Sequence, residues 1–230
     1  MTPDLRPYLT PSWFVNSDDP RIVALAREIV GAESDDVQRA VRLYYAVRDG
    51  IRYTAYNLDL RREAFRAAHV LATGQGWCVT KSVLLAALCR SLGIACSLGY
   101  ADVCNHMATK KLLDFLGTNV FYYHGYNEIY LRGKWVKATV AFNRTLCEKA
   151  RLSTLEFDGV HDSIYHPFDL AGHRHMEYLR DRGASADVPY DAIIATFGQV
   201  YPKMQQPSEE GPAALAGDFE AEIQAEAAGP

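Results

Sequence analysis

The sequence predicts an α+β fold, helices first and an antiparallel sheet after them. Three observations carry this expectation. Apolar residues recur at helical spacing through the first 92 residues. Two alternating segments flank Arg132-Gly133 as a hairpin would. The 230 residues are 49% hydrophobic and 11% aromatic, enough to bury one large core.

Taken in order, Asp19-Pro20 is a cap followed by proline at the first helical position. Ile22, Leu25, Ala26, Ile29 and Val30 then share one face, and Gly31 ends the helix. Ser34 or Asp35 caps a second helix, with Val37, Ala40, Val41, Tyr44 and Val47 inward and Gly50 closing it. IRYT reads as a short strand. A third helix is expected from about Glu63 to Ala72, stopped by Gly74 and Gly76. From Val79 to Leu92 the chain is apolar on most sides, as in a helix enclosed by the core, and Gly93 stops it. IACSLGYADV suggests a strand and KKLLDFL a helical turn. VFYYHGYNEIYL and KWVKATVAF pair as the hairpin. A two-residue turn sets Leu131 opposite Lys134, so Glu128 faces Lys137, Tyr126 faces Thr139 and His124 faces Ala141. Beyond Asn143 the expectation is a short helix, loops rich in His, Asp and Tyr, and a last helix near Asp191–Phe197.

The formal charge of −4 is uneven. Residues 203–230 hold one lysine and six acids, a net of −5, which leaves +1 for residues 1–202. A near-neutral body carries no nucleic-acid footprint. The sequence therefore predicts one domain over 1–202 and a disordered, dispensable acidic tail over 203–230. No apolar run of eighteen residues exists, and the first residues do not read as a secretion signal, so no membrane partner is expected and the cytoplasm is the expected compartment. Five scattered cysteines without a C-x-x-C pair argue against a disulfide framework.

Cys78 differs from the other four. Gly74, Gly76 and Trp77 lead into it, and it stands where the enclosed helix begins. Free amides and the helix dipole there favour an anion, which would lower the thiol pKa and could hold an oxyanion. The competing reading is a buried structural cysteine, which suits Cys89 and Cys96. A nucleophilic thiol needs a base. His124 is one candidate, with Thr139 and Asn143 as diagonal neighbours able to hydrogen-bond its ring; by itself a lone histidine on a sheet face is more often only a polar residue there.

The segment from Gly74 to Asn143 resembles the transglutaminase-like superfamily, whose core is papain-like. The resemblance rests on Gly76-Trp77-Cys78, on Arg90-Ser91-Leu92-Gly93-Ile94, on HGYNEIYL and on WVKAT, in the family's order and spacing. It implies Cys78 as nucleophile and His124 as base. It also implies cysteine-dependent acyl transfer on a peptide, protein or small amide, by hydrolysis or transamidation, without cofactor or metal. Gln75, Trp77 and Tyr126 become candidates for oxyanion or substrate contacts. The family's orienting Asp falls on Thr139. Asn143 is the alternative orienter, and Asp102, Asp158 and Asp162 are outside candidates. Loss of that Asp motivates a second reading, a catalytically inactive binding module.

His161, His166, His173 and His175 follow the core, and with Cys104-Asn105-His106 they raise zinc as a third idea, although no third and fourth ligands sit at a characteristic spacing. The sequon Asn143-Arg144-Thr145 is discounted without a secretion signal.

Overall fold

Helix α4 (Cys78–Ser91) runs through the middle of the molecule, and thirteen of its fourteen residues are buried, as its all-round apolar sequence requires. The computed structural model describes residues 3–228 apart from 57, 107, 165–167, 173, 174 and 206–214. Three helices pack around α4: α1 (Pro20–Val30), α2 (Asp36–Gly50) and α3 (Ala67–Thr73). The caps are those the sequence marks. Asp19 accepts from the Arg21 amide and Asp35 from the Gln38 amide. Gly74 ends α3 at φ +65°, a left-handed position open to glycine. The third helix is shorter than expected because a 3-10 turn at Arg62–Phe65 replaces its start. Two short strands, β1 (Arg52–Tyr53) and β2 (Gln75–Gly76), pair in parallel and fix the approach to Cys78.

The other side of α4 meets an antiparallel sheet of β3 (Cys96–Asn105), β4 (Val120–Leu131), β5 (Lys134–Ala138) and β6 (Met176–Ser185), ordered β5-β4-β3-β6. The α+β expectation holds. The β4–β5 register is the one the turn length dictates, with Leu131 opposite Lys134 and Glu128 opposite Lys137. Arg132 and Gly133 both take positive φ, the requirement of a type I′ turn. Strand β5 ends at Ala138, so Thr139 to Ala141 continue beyond the ladder. Strand β6 is absent from the sequence reading. It is an edge strand with only Met176 buried, so no alternating apolar pattern marks it.

Two buried cations tie these layers together. Arg90 donates to the carbonyls of Cys96 (3.0 and 2.8 Å), Ala186 (2.6 Å) and Thr10 (3.1 Å), which explains an arginine before Gly93-Ile94. Lys81 is fully buried and donates to the Arg48 and Ile51 carbonyls at 2.9 and 2.6 Å, closing the end of α2. Burial pulls its pKa down to about 7.

After α5 (Lys110–Leu116), α6 (Arg144–Lys149) and α7 (Tyr190–Val200), the acidic end departs from the expectation of disorder. Residues 219–228 form helix α8 (Phe219–Ala228), and Leu215, Phe219 and Ile223 are buried. The acids have partners on the body. Glu222 accepts from the Tyr56 hydroxyl at 2.6 Å and pairs with Lys111 at 3.1 Å. Glu220 pairs with Lys149 at 3.3 Å, Glu226 accepts from the Lys110 amide at 3.0 Å, and Asp218 pairs with Arg52. The cations that hold the tail are scattered over Arg52, Lys111 and Lys149, so composition alone could not reveal them. Part of the expected tail, residues 206–214, lies outside the described residues.

Candidate active site

Cys78 is the first residue of α4, with Trp77 at its N-cap. The Trp77 amide is bonded to the Thr80 hydroxyl at 3.0 Å, which leaves the next amides of the helix start for the thiol. Opposite stands Gly125 of β4. A methyl group there would meet the Val79 Cα at 2.8 Å and the Cys78 carbonyl oxygen at 3.1 Å. Only a residue without a side chain allows this approach of strand to helix, and the approach sets His124 beside Cys78. Both line one cavity of about 470 Å³. Gly125 is not singled out in the sequence reading; a glycine directly after the histidine in a strand is the signal that could have found this contact.

The strand is also bent just before His124. The β3–β4 register shifts between Ala101 and Val103, and Tyr123 takes φ +56°. Asp102 holds the bulge. It accepts from the Tyr123 amide at 3.2 Å and from Arg182 Nε at 2.5 Å, while the Arg182 guanidinium lies 4.2 Å from the Tyr123 ring centroid. Asp102 therefore shapes the backbone next to His124.

Burial decides the proton balance. The amides of Gly125, Val79 and Cys78 favour the thiolate, as a helix start should. Desolvation outweighs them and pushes the Cys78 thiol up to about 11. This corrects the expectation of a lowered thiol pKa, because the sequence did not show the aromatic roof formed by Phe197 and Tyr201. Burial, with His175 nearby, pushes His124 down to about 3. The resting pair is thus a neutral thiol beside a neutral imidazole.

A stability prediction follows. Unfolded, His124 returns to the ordinary value of 6.5, so between about pH 6.5 and 3 the unfolded chain binds one more proton than the folded one. That stability is complete above 6.5 and is lost on acidification at up to about 1.4 kcal/mol per pH unit. Denaturant titrations from pH 7 to 4 should show a smaller acid loss for His124→Gln than for the wild type; equal slopes would refute the assignment.

The cavity beside Cys78 is apolar. Its walls include Tyr53, Leu58, Trp77, Phe121, Phe197 and Tyr201, and no charged side chain lines it among the described residues. The Tyr201 hydroxyl is satisfied internally, donating to the Val120 carbonyl at 3.0 Å and accepting from the Tyr122 amide at 2.9 Å. Trp77 packs between Phe65 and Phe197, with ring centroids 5.7 and 5.9 Å away.

The other expected residues divide. Thr139 lies with His124 on a second cavity of about 350 Å³, which His175, Phe142 and Cys147 also line. Its buried hydroxyl has no partner among the described residues. Asn143 is committed elsewhere, accepting from the Tyr53 amide at 3.1 Å and donating to the Thr145 hydroxyl at 2.5 Å. Asn143 therefore anchors β1, with both its amide oxygen and its amide nitrogen bonded away from His124. Asp158 is bonded to His161 at 2.7 Å on the surface, and Asp162 accepts from the Lys137 amide. Gln75 is exposed and lines a neighbouring polar groove rather than the Cys78 cavity. Tyr126 is buried over Gly99 of β3, its direct cross-strand partner, and it lines neither His124 cavity. His166 and His173 lie outside the described residues. Among the described residues no group of three His, Cys, Asp or Glu is placed to hold a metal, and all five cysteines are free and buried. No described helix is long and apolar enough to cross a membrane.

The profile of the transglutaminase-like superfamily matches residues 23–140, just over half of the chain. No curated protein matches. A crystal structure from Cytophaga hutchinsonii, described as a "putative cysteine protease", is 20% identical with a TM-score of 0.46. The match covers 61% of this chain and 43% of that one, so the chain spans less than half of that protein's length.

Proposed function

The chain belongs to the transglutaminase-like superfamily, and on that footing we propose that it is a cysteine-dependent acyl-transfer enzyme acting on amides, peptides or thioesters with an apolar acyl group. The observation that carries this reading is that Cys78, at the start of α4, and His124 line the same cavity, whose other walls are carbon-rich.

In the proposed reaction Cys78 Sγ attacks the carbonyl carbon. His124 takes the thiol proton as the S–C bond forms, which turns a neutral pair into an ion pair only when charge develops on the substrate. The amides at the start of α4 receive the oxyanion. The tetrahedral intermediate collapses, the bond to the leaving group breaks, and His124 returns the proton to the leaving amine or thiol. Water, deprotonated by His124, then attacks the thioester, releases the acid and restores the thiol. An amine in place of water gives transamidation. The apolar walls support an uncharged group on the acyl side, since a charge buried there would have no counter-ion. Five free, buried cysteines suit a reducing compartment such as the cytoplasm.

A panel of p-nitrophenyl esters and peptide anilides with aliphatic, aromatic, acidic and basic acyl groups tests this. Turnover should favour aliphatic and aromatic members by at least about tenfold over charged ones, and Cys78→Ala should abolish it. Turnover that survives Cys78→Ala would refute the reading. Absence of turnover across the panel would favour a binding module that keeps the fold.

A further inference from the structure

His124 lines two cavities. One is shared with Cys78; the other is shared with Thr139 and His175, and a thiol–imidazole pair needs a group to fix the ring. No carboxylate lines that second cavity among the described residues. Asp102, Asp158, Asp162 and Asn143 are all bonded elsewhere. What the cavity does hold is His175, buried at 6% exposure, together with the Thr139 hydroxyl.

His175 is itself well placed. It immediately precedes β6, and its carbonyl accepts from the His106 amide at 2.9 Å. Its ring stacks on Phe142, centroids 6.0 Å apart and planes 23° from parallel. A neutral imidazole has one nitrogen that accepts a hydrogen bond and one that donates. It can therefore accept from the His124 N–H that faces away from Cys78, directly or through one water shared with the Thr139 hydroxyl. That bond would fix the tautomer in which the nitrogen facing Cys78 is unprotonated, as a base requires.

We propose that His175 is the positioning residue of His124, reaching it across the cavity that Thr139 also lines. The proposal rests on the reading of Cys78 and His124 as nucleophile and base. It goes beyond that reading by assigning the orienting role to a histidine just before the edge strand, outside the segment that carries the family motifs. In the sequence His175 was one of four clustered histidines and had no individual signal.

The test uses the full chain and needs no identified substrate. Alkylation of Cys78 by iodoacetamide at pH 7.5, resolved from the other cysteines by peptide mass spectrometry, reads the thiol–imidazole pair. His124→Ala should slow it at least about tenfold, one unit of proton balance. His175→Phe, which keeps the ring stack on Phe142, should slow it by about the same factor. His175→Asn, which restores an acceptor without the stack, should stay within about twofold of wild type. A purely structural role predicts the reverse order, since phenylalanine suits the apolar wall better. Thermal unfolding of each variant checks folding, and His175→Leu supplies the apolar arm if phenylalanine disrupts it. Should His124→Ala slow the reaction while the Phe and Asn variants behave alike, the positioning role is overturned and the nucleophile–base reading survives. If His124→Ala changes nothing, both fall.

Discussion

Replacing Gly125 with alanine is expected to reduce turnover about a hundredfold while the protein still folds. The added methyl meets backbone atoms, the Val79 Cα at 2.8 Å and the Cys78 carbonyl oxygen at 3.1 Å, so β4 or the start of α4 must move. The overpacking costs stability on the order of 1–3 kcal/mol. The loss of activity is larger than that suggests, because a displacement of about 1 Å between nucleophile and base removes most of the benefit of holding them together. The Gly125 amide also supports the thiolate, so the same shift weakens that contact. Gly99→Ala is the comparison. Its methyl would run into the Tyr126 ring, away from the cavity that Cys78 lines, and it should lower the unfolding midpoint without a matching collapse of activity. Equal activity losses in the two variants would contradict the special role of Gly125.

Truncation after residue 214 is expected to destabilise the protein by about 4.5–9 kcal/mol, from loss of the buried side chains of Leu215, Phe219 and Ile223. The loss should also reach the site. Phe219 packs against Tyr53 and Tyr56, with ring centroids 5.7 and 5.1 Å away, and Tyr53 is a wall of the Cys78 cavity. Differential scanning calorimetry of the truncated chain should show a midpoint lower by at least about 9 °C, given a shift of about 2–4 °C per kcal/mol for a chain of this size. An unchanged midpoint would show that α8 contributes nothing and would restore the dispensable tail.

These two residues, Gly125 and Phe219, mark how far the sequence could be read. The caps at Asp19 and Asp35, the enclosed helix and the hairpin register were legible because each depends on neighbours in the chain. Turn length alone fixes Glu128 opposite Lys137. The placing of Cys78 at a helix start and of His124 in a strand was legible for the same reason, while their pairing as nucleophile and base came from the family resemblance. What could not be read is non-local. The acids of the tail look like a solvated run until Arg52, Lys111 and Lys149 are brought to them. Strand β6 hides because only one of its residues is buried. The direction of the Cys78 pKa was missed because the helix start is visible in sequence and the aromatic roof is not. Thr139 in the family's Asp position left the orienter open, and the structure brings His175 to that cavity from 36 residues farther along the chain.

The most direct test of the central claim is to trap the acyl-enzyme. The full-length protein is mixed with a p-nitrophenyl ester of a hydrophobic acid, quenched in acid within seconds, and analysed by intact and peptide mass spectrometry. The account predicts one acyl adduct per chain, on Cys78, absent in Cys78→Ala and strongly reduced in His124→Ala. An adduct on another residue, or equal labelling of all five cysteines, would contradict it.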